Sequence, residues 1–482
     1  MNTAAVKPEF YGGAWVSFLP ILSFVGVAIY VATALEEATI QGMWVGILGG
    51  LLITFLFAKN KLAYSETIMT GMASKVAIAP VAAWIFAGIF ATVLRSSGLV
   101  DGILWAAYHT GATGTAFIAV TFLSSALFAT AAGTGFGTIA AGMGVLYPAG
   151  VMLGADPLLM AGAIVSGGAF GDNLAPISDT TISSAASQGC DVGGVVRSRL
   201  KYSLTAGGIT LALLIMFSMA SSGTSAVVPY DQLAEFMDPR GLLMLIPAFA
   251  AIYVAMKSGD VIFATTVGIL SGMLVAVASG LNTVEAFVSV ENGVLINGVA
   301  GWMADLSILV LLLAGGIRLM LDGGGSEKLI NSLKGIVHTP RAAEASSAGL
   351  SLLMSSMMSI NAPAILAVGL SYAKPVGERF GLTPYRRANI IDSMSCTLVY
   401  SLPWSAALLF AAGLSSKAAE TFPGVPALQP LDMTPWVIYS WVLLAVMSFS
   451  IITGWGRRFV DTPETEMELA PHDRLNPTVQ SS

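Results

Sequence analysis

Residues 171–181 read Gly-Asp-Asn-Leu-Ala-Pro-Ile-Ser-Asp-Thr-Thr, placing Asp172 and Asp179 on either side of Pro176 with Asn173, Ser178, Thr180 and Thr181 among them. The preceding stretch, 158–170, carries no charge. An ionisable group at bilayer depth costs roughly 3 kcal/mol, so it marks function before structure. Pro176 removes a backbone donor and should break the arriving helix. The carbonyls freed there, the hydroxyls and the two carboxylates form the kind of oxygen set that holds a small hard cation. A carboxylate in such a place can hold a cation or a proton, and competition between the two is the chemistry of antiport. Local roles stand beside this one. Asp179 can serve as the N-cap of a helix over 180–188, and Asp172 can be a solvated turn residue. Asn173, Ser178, Thr180 and Thr181 can satisfy backbone groups at the break.

The elements around this segment are those of a membrane protein. The chain has 482 residues, 55% of them hydrophobic and 10% charged, against about 25% charged in soluble domains. We expect an all-α polytopic protein of about 10–13 transmembrane helices. Apolar segments run over approximately 14–34, 42–58, 80–100, 115–132, 157–171, 200–221, 241–256, 261–281, 303–321, 345–360, 384–400 and 435–453. Shorter apolar pieces over 133–153 and 361–376, and after 176 and 403, read as half-helices or re-entrant segments. Residues 14–34 exceed a signal-peptide core, so a retained first span is expected.

Several function classes fall away on composition. The net charge of −6 and the lack of a basic run give no nucleic-acid partner. Two cysteines and three histidines without metal-ligand spacing, and no HExxH or GxSxG, argue against an enzyme, a structural zinc site or a bound cofactor.

An internal repeat organises the chain. Sliding the sequence by 227 residues superposes Pro148 on Pro375, Pro157 on Pro384 and Pro176 on Pro403, with Gly150 on Gly377, Ser166 on Ser393 and Ser178 on Ser405. The expected division is a first repeat over 1–222, a loop over 223–240, a second repeat over 241–455 and a polar, disordered tail over 456–482. Lys59, Lys61, Lys75, Arg197, Arg199 and Lys201 mark one face, and Glu36, Glu37, Asp231, Glu235 and Asp238 the other. By the positive-inside rule both termini are cytoplasmic and the repeats are inverted. Arg386 and Arg387 do not fit that arrangement. Arg95 and Arg318, near the ends of corresponding spans, are expected to snorkel.

The second repeat answers the acidic segment with Asp392, Ser393, Ser395, Cys396, Thr397, Ser401 and Pro403, while Asp172 falls on Val399. The site is therefore asymmetric in charge, with Asp392 as a secondary acid; a salt bridge to Arg379, Arg386 or Arg387 is its structural alternative. Upstream, Gly133-Thr134-Gly135-Phe136-Gly137-Thr138 lacks the lysine of a phosphate loop and reads as an unwound crossing. Thr134 superposes on Asn361 in Ser359-Ile360-Asn361. Thr134, Thr138, Asn361, Ser393 and Ser395 are the expected lining of a substrate cavity.

The run Gly171–Thr181 resembles the GDxxSPxSDTT signature of the NhaC-type Na⁺/H⁺ antiporter family, within the ion transporter superfamily. Gly133–Thr138 is similar to that family's SGTxxGT crossing, and Pro403-Trp404 to its PWN element. The resemblance covers roughly 60–455 and implies an inverted-repeat transporter, elevator-like or rocking, that exchanges Na⁺ for H⁺ in a bacterial inner membrane. Asp172 and Asp179 would hold the Na⁺. Departures from the motif are Ala175 for its first serine, Ser405 after Pro-Trp, and Asp392-Ser393 for an acidic Glu-Asp pair. Because the family includes exchangers of organic acids, cargo stays open between a small cation and a small carboxylate or amino acid. A passive channel is a third possibility. The lipid bilayer is an expected partner, and a homodimer a further expectation.

Overall fold

The computed structural model describes residues 7–34, 40–176, 178–221, 237–258, 260–300, 302–334, 337–359, 361–422 and 424–460. Ile177, Ile360, most of the loop expected over 223–240 (with Asp231 and Glu235), Glu36 and Glu37, and the tail over 461–482 lie outside them. The first half comprises α1 (Leu19–Ala34), α2 (Ile40–Phe57), α3 (Lys61–Met72), α4 (Lys75–Ser96), α5 (Leu99–Thr110) and α6 (Gly114–Ala132). It continues with α7 (Gly135–Ala141), α8 (Tyr147–Met152), α9 (Pro157–Leu174), α10 (Asp179–Gln188) and α11 (Val192–Ser221). The second half has α12 (Leu245–Ser258), α13 (Val261–Ala278), α14 (Trp302–Asp322), α15 (Gly325–Lys334) and α16 (Pro340–Met358). After these come α17 (Asn361–Val368), α18 (Lys374–Arg379), α19 (Pro384–Ser401), α20 (Ala406–Thr421) and α21 (Ile438–Thr453). The protein is all-α; the described residues contain two isolated β-bridges and no strand.

Among the described residues, five helical stretches, some running through two of these helices, are long and apolar enough to cross a membrane, or seven if each of two bent pairs forms one span, and four shorter apolar helices accompany them. Large apolar side chains face outward on many of them, among them Leu52, Leu127, Leu270 and Leu274. In water so many would be anomalous; against lipid they are the expected surface. The protein is an integral membrane protein.

The four helix breaks follow from local chemistry. After α9, Ala175 turns extended ahead of Pro176, and Ser178 caps α10. After α19, Leu402 turns extended ahead of Pro403, and Ser405 caps α20. Gly133, with φ +69°, ends α6, and Thr134 caps α7. Ser359, with φ +56°, ends α16 and is the one non-glycine at positive φ among the described residues. The starts of α9 and α19 match as well: Asp156 and Thr383 cap them, and Pro157 and Pro384 take the first position. A π-turn joins α7 to α8 over Gly142–Leu146 and α17 to α18 over Gly369–Ala373. The offset that superposes the prolines thus also superposes these helix bounds.

At the centre, α9 has almost no free face; from Leu159 to Leu174 only Phe170 is not buried. Its glycines permit this. A Cβ on Gly171 would lie 2.2 Å from Ala129 Cβ, and one on Gly167 would lie 2.5 Å from Ser125 Cβ. Such contact between α6 and α9 is the small-residue packing that draws membrane helices together.

Two expectations change here. Residues 456–460, assigned to the disordered tail, are held: Thr383 N–H donates to Arg458 O (3.1 Å) and Val460 N–H to Gly381 O (2.9 Å). Arg386 and Arg387, unplaced by face, are buried ion-pair members. Arg386 pairs with Glu344 at 2.8 Å, and Glu344 pairs with Arg457 at 2.6 Å. Arg387 donates to Gln188 Oε1 and Leu382 O, both at 2.9 Å, and reaches Glu378 at 3.4 Å. Arg386 answers the buried Glu344, and Arg387 is held inside mainly by Gln188 and the Leu382 carbonyl, so neither marks a membrane face.

If α9 depends on contact at Gly171, Gly171→Val should cost about 1–3 kcal/mol, as an overpacked core does. Gly208→Val meets no atom within 4 Å and should leave stability unchanged. Thermal unfolding in detergent, followed by size-exclusion chromatography, compares the two.

Candidate cation and proton site

The four breaks bring their polar residues to one buried region. Asp172, in the last turn of α9, is 6% exposed. Its Oδ1 accepts from Ser178 Oγ (2.8 Å), and its Oδ2 accepts from the Tyr400 hydroxyl (2.8 Å). Thr180 Oγ1 donates to Asp172 O at 3.3 Å and lies 3.0 Å from Ser178 Oγ. Every partner of this carboxylate is a neutral hydroxyl. Hydroxyls rotate, so Ser178, Thr180 and Tyr400 can donate to an anion or turn lone pairs toward a cation. This set of oxygens can take a proton or a small cation with little rearrangement.

Asn173 faces the other way. Its Oδ1 accepts from Ser203 (2.8 Å) and from Tyr439 (3.2 Å), and its Nδ2 donates to Ser393 Oγ (3.3 Å). Beyond it lies Arg199 of α11, fully buried and ion-paired with Asp392. The guanidinium also donates to Asn173 O, to Thr181 Oγ1 (3.1 Å) and to Asn389 Oδ1 (3.1 Å). Asp392 accepts further from Ser184 Oγ (2.8 Å) and from Cys396 Sγ (3.6 Å).

The expected residues therefore divide. Asp172, Ser178 and Thr180 form one cluster, while Asn173, Thr181, Asp392 and Ser393 belong to the adjoining network around Arg199. Asp179 is exposed at the first position of α10. The cap expected of Asp179 is Ser178, whose Oγ accepts from Thr180 N–H at 3.3 Å. Asp392 does form an ion pair, but with Arg199 rather than Arg379, Arg386 or Arg387. Thr134 accepts from Gly137 N–H, and Thr138 and Ser395 donate to main-chain oxygens of their own helices. Asn361 donates to Cys396 Sγ at 3.4 Å. Among the described residues, no group of three His, Cys, Asp or Glu side chains could hold a metal ion.

Tyr400 and Arg199 escape the sequence reading. Tyr400 superposes on Asn173 at the repeat offset, one position beyond the Asp172–Val399 pair, so that comparison could have found it. Arg199 sits between Arg197 and Lys201 and looks like an interface charge. Its burial comes from α11 packing along α9 and α19.

Transporters build ion sites where proline-broken helices meet around a buried acid. The profile of the Na⁺/H⁺ antiporter family matches residues 9–219, a stretch that contains the whole proline-broken acidic segment. The chain is 27% identical over 265 residues to the Na⁺/H⁺ antiporter NhaC of Alkalihalophilus pseudofirmus, an alignment covering 51% of this chain and 57% of that one. It thus spans little more than half of that relative's length. Identity is 26% over 374 residues with the malate-2H⁺/Na⁺-lactate antiporter of Bacillus subtilis, covering 71% of this chain and 74% of the relative. With the arginine/ornithine antiporter ArcD of Halobacterium salinarum it is 24% over 378 residues, covering 73% and 74%.

The Arg199–Asp392 pair should show strong coupling. Removing either partner leaves a buried charge unpaired and should cost about 3–5 kcal/mol. The double variant Arg199→Met/Asp392→Leu should cost much less than the two losses together. Reversible unfolding of the four proteins in mixed micelles measures this, and additive losses would contradict the pairing.

Proposed function

We propose that this protein is a secondary active transporter that exchanges Na⁺, or another small cation, for protons by alternating access. The observation that carries the proposal is Asp172: a buried carboxylate bonded to neutral hydroxyls, beside a second acid that already has its own cation. A proton or Na⁺ neutralises Asp172 equally well, and occupancy by one excludes the other. Ser178, Thr180, Tyr400 and the Asp172 carbonyl supply the remaining oxygens. Asp179, exposed and one residue beyond Ser178, extends the negative field toward the entry side. Inverted repeats, cytoplasmic termini and the bacterial inner membrane belong to the same proposal, as does transport rather than catalysis. A passive channel is disfavoured by the burial of Asp172.

A specific feature favours a second reading, exchange of a small organic acid or amino acid coupled to these ions. Of the arginines able to meet an anionic substrate, Arg318 pairs with Asp322 at 2.7 Å and Arg387 is engaged as described. Arg95, by contrast, lines a cavity of about 970 Å³ together with Lys417, Asp101 and Glu420. Cations and carboxylates facing one space suit a zwitterion or a hydroxy acid. Two of the relatives named above exchange organic substrates.

In everted vesicles, a Na⁺ pulse should move protons through the wild type. Asp172→Asn should abolish that movement with the protein still present in the membrane. Near-normal exchange by Asp172→Asn would contradict the proposal, and proton movement only on adding malate, lactate or an amino acid would replace it with the second reading. Tyr400→Phe removes one hydrogen bond to a charged group, which is worth about 1.5–3 kcal/mol. It should shift the half-maximal Na⁺ concentration about tenfold or more, and an unchanged value would remove Tyr400 from the site.

A further inference from the structure

The oxygens around the Arg199 guanidinium form a set that a hard cation would accept. They comprise one carboxylate oxygen of Asp392, the main-chain carbonyl of Asn173, the Thr181 hydroxyl and the Asn389 amide oxygen. The cluster around Asp172 has the same composition in kind: a carboxylate, a main-chain carbonyl at the same helix end, and hydroxyls. The two sets adjoin, since residues 172 and 173 contribute one carbonyl to each. One is occupied by a side chain of the protein, and the other is lined by neutral groups alone. Arg199 is fully buried and is anchored in the 30-residue helix α11.

We propose that Arg199 is a resident cation filling the second of two adjoining acidic cation positions, so that the exchanged cation is confined to the Asp172 position. The inference rests on the cation-exchange function proposed above and deepens it by fixing how many cations the site takes. A guanidinium gives its charge to Asp392 permanently, whereas a free cation would leave on each cycle. Arg199 also ties the Asn173 carbonyl, one residue from Asp172, to Asp392 of the second half. The second position thereby becomes part of the scaffold of the first. Arg199 is a positioning residue, and it determines specificity through the count of cations rather than by touching the one exchanged.

The test is the number of ²²Na⁺ ions bound at saturation by the purified full-length protein at alkaline pH. Arg199→Gln opens the second position while keeping a side chain that can hydrogen-bond to Asp392 and Asn389. It should bind one Na⁺ more per chain than the wild type. Arg199→Lys keeps the resident charge and should match the wild type. The double variant Arg199→Gln/Asp392→Asn removes the resident cation and its acid together and should also return to the wild-type number. The double variant carries the test if Arg199→Gln alone does not fold, because a count below wild type would mean that Asp392 ordinarily holds exchangeable Na⁺. That result, or an unchanged count in folded Arg199→Gln, overturns the inference. A wild type that binds no Na⁺ defeats the cation-exchange function itself, and this inference with it.

Discussion

The structure depends on how two buried carboxylates are neutralised. Asp392 receives a permanent cation from α11, whereas Asp172 receives only the hydrogens of Ser178 and Tyr400. A buried carboxylate with neutral partners is costly as an anion, and the cost falls when a proton or a metal ion joins it. The fold tolerates this because the group is placed at a helix end, where unpaired carbonyls already exist and α9 is packed on every side. Replacing the hydroxyls by a fixed cation would remove the cost and, with it, the reason proposed for an ion to enter.

The broken helices are what make such a site possible. An unbroken α9 would consume the carbonyls near Asp172 in its own ladder and carry Ser178 and Thr180 away around the helix. Pro176 stops the ladder, and the turn returns Ser178 to the Asp172 carboxylate and Thr180 to the Asp172 main-chain carbonyl. Pro403 does the same for α19, bringing Tyr400 to its final turn beside Asp172. The glycines of α7 and α9 then let the backbones approach. A Cβ on Gly135, for example, would lie 2.2 Å from the Tyr400 hydroxyl.

Much of this could be read from the chain, and the limits have physical causes. Pro176 and Pro403 announced the breaks, because proline acts on its own backbone and that effect is local. Asp172 with Ser178 and Thr180 was legible for the same reason. Asp392 reads as an acid with an ion pair as one alternative, but spacing offers only Arg379, Arg386 and Arg387 nearby in sequence, whereas Arg199 arrives from another helix. Flanked by Arg197 and Lys201, Arg199 has the local pattern of an interface charge, and only the packing of α11 against α9 and α19 makes it internal. Asp179 lies in the same acidic segment with a local capping role as its alternative, and the turn after Pro176 leaves it exposed. Side chains placed by tertiary packing leave little trace in spacing.

Calorimetry of Na⁺ binding to the purified protein, repeated in buffers of different ionisation enthalpy, tests the central claim that a proton and a cation compete for Asp172. The heat should vary with the buffer in the wild type, showing protons released as Na⁺ binds, and the buffer dependence should vanish in Asp172→Asn. Na⁺ binding with no proton release in the wild type, or the same release in Asp172→Asn, would contradict the account.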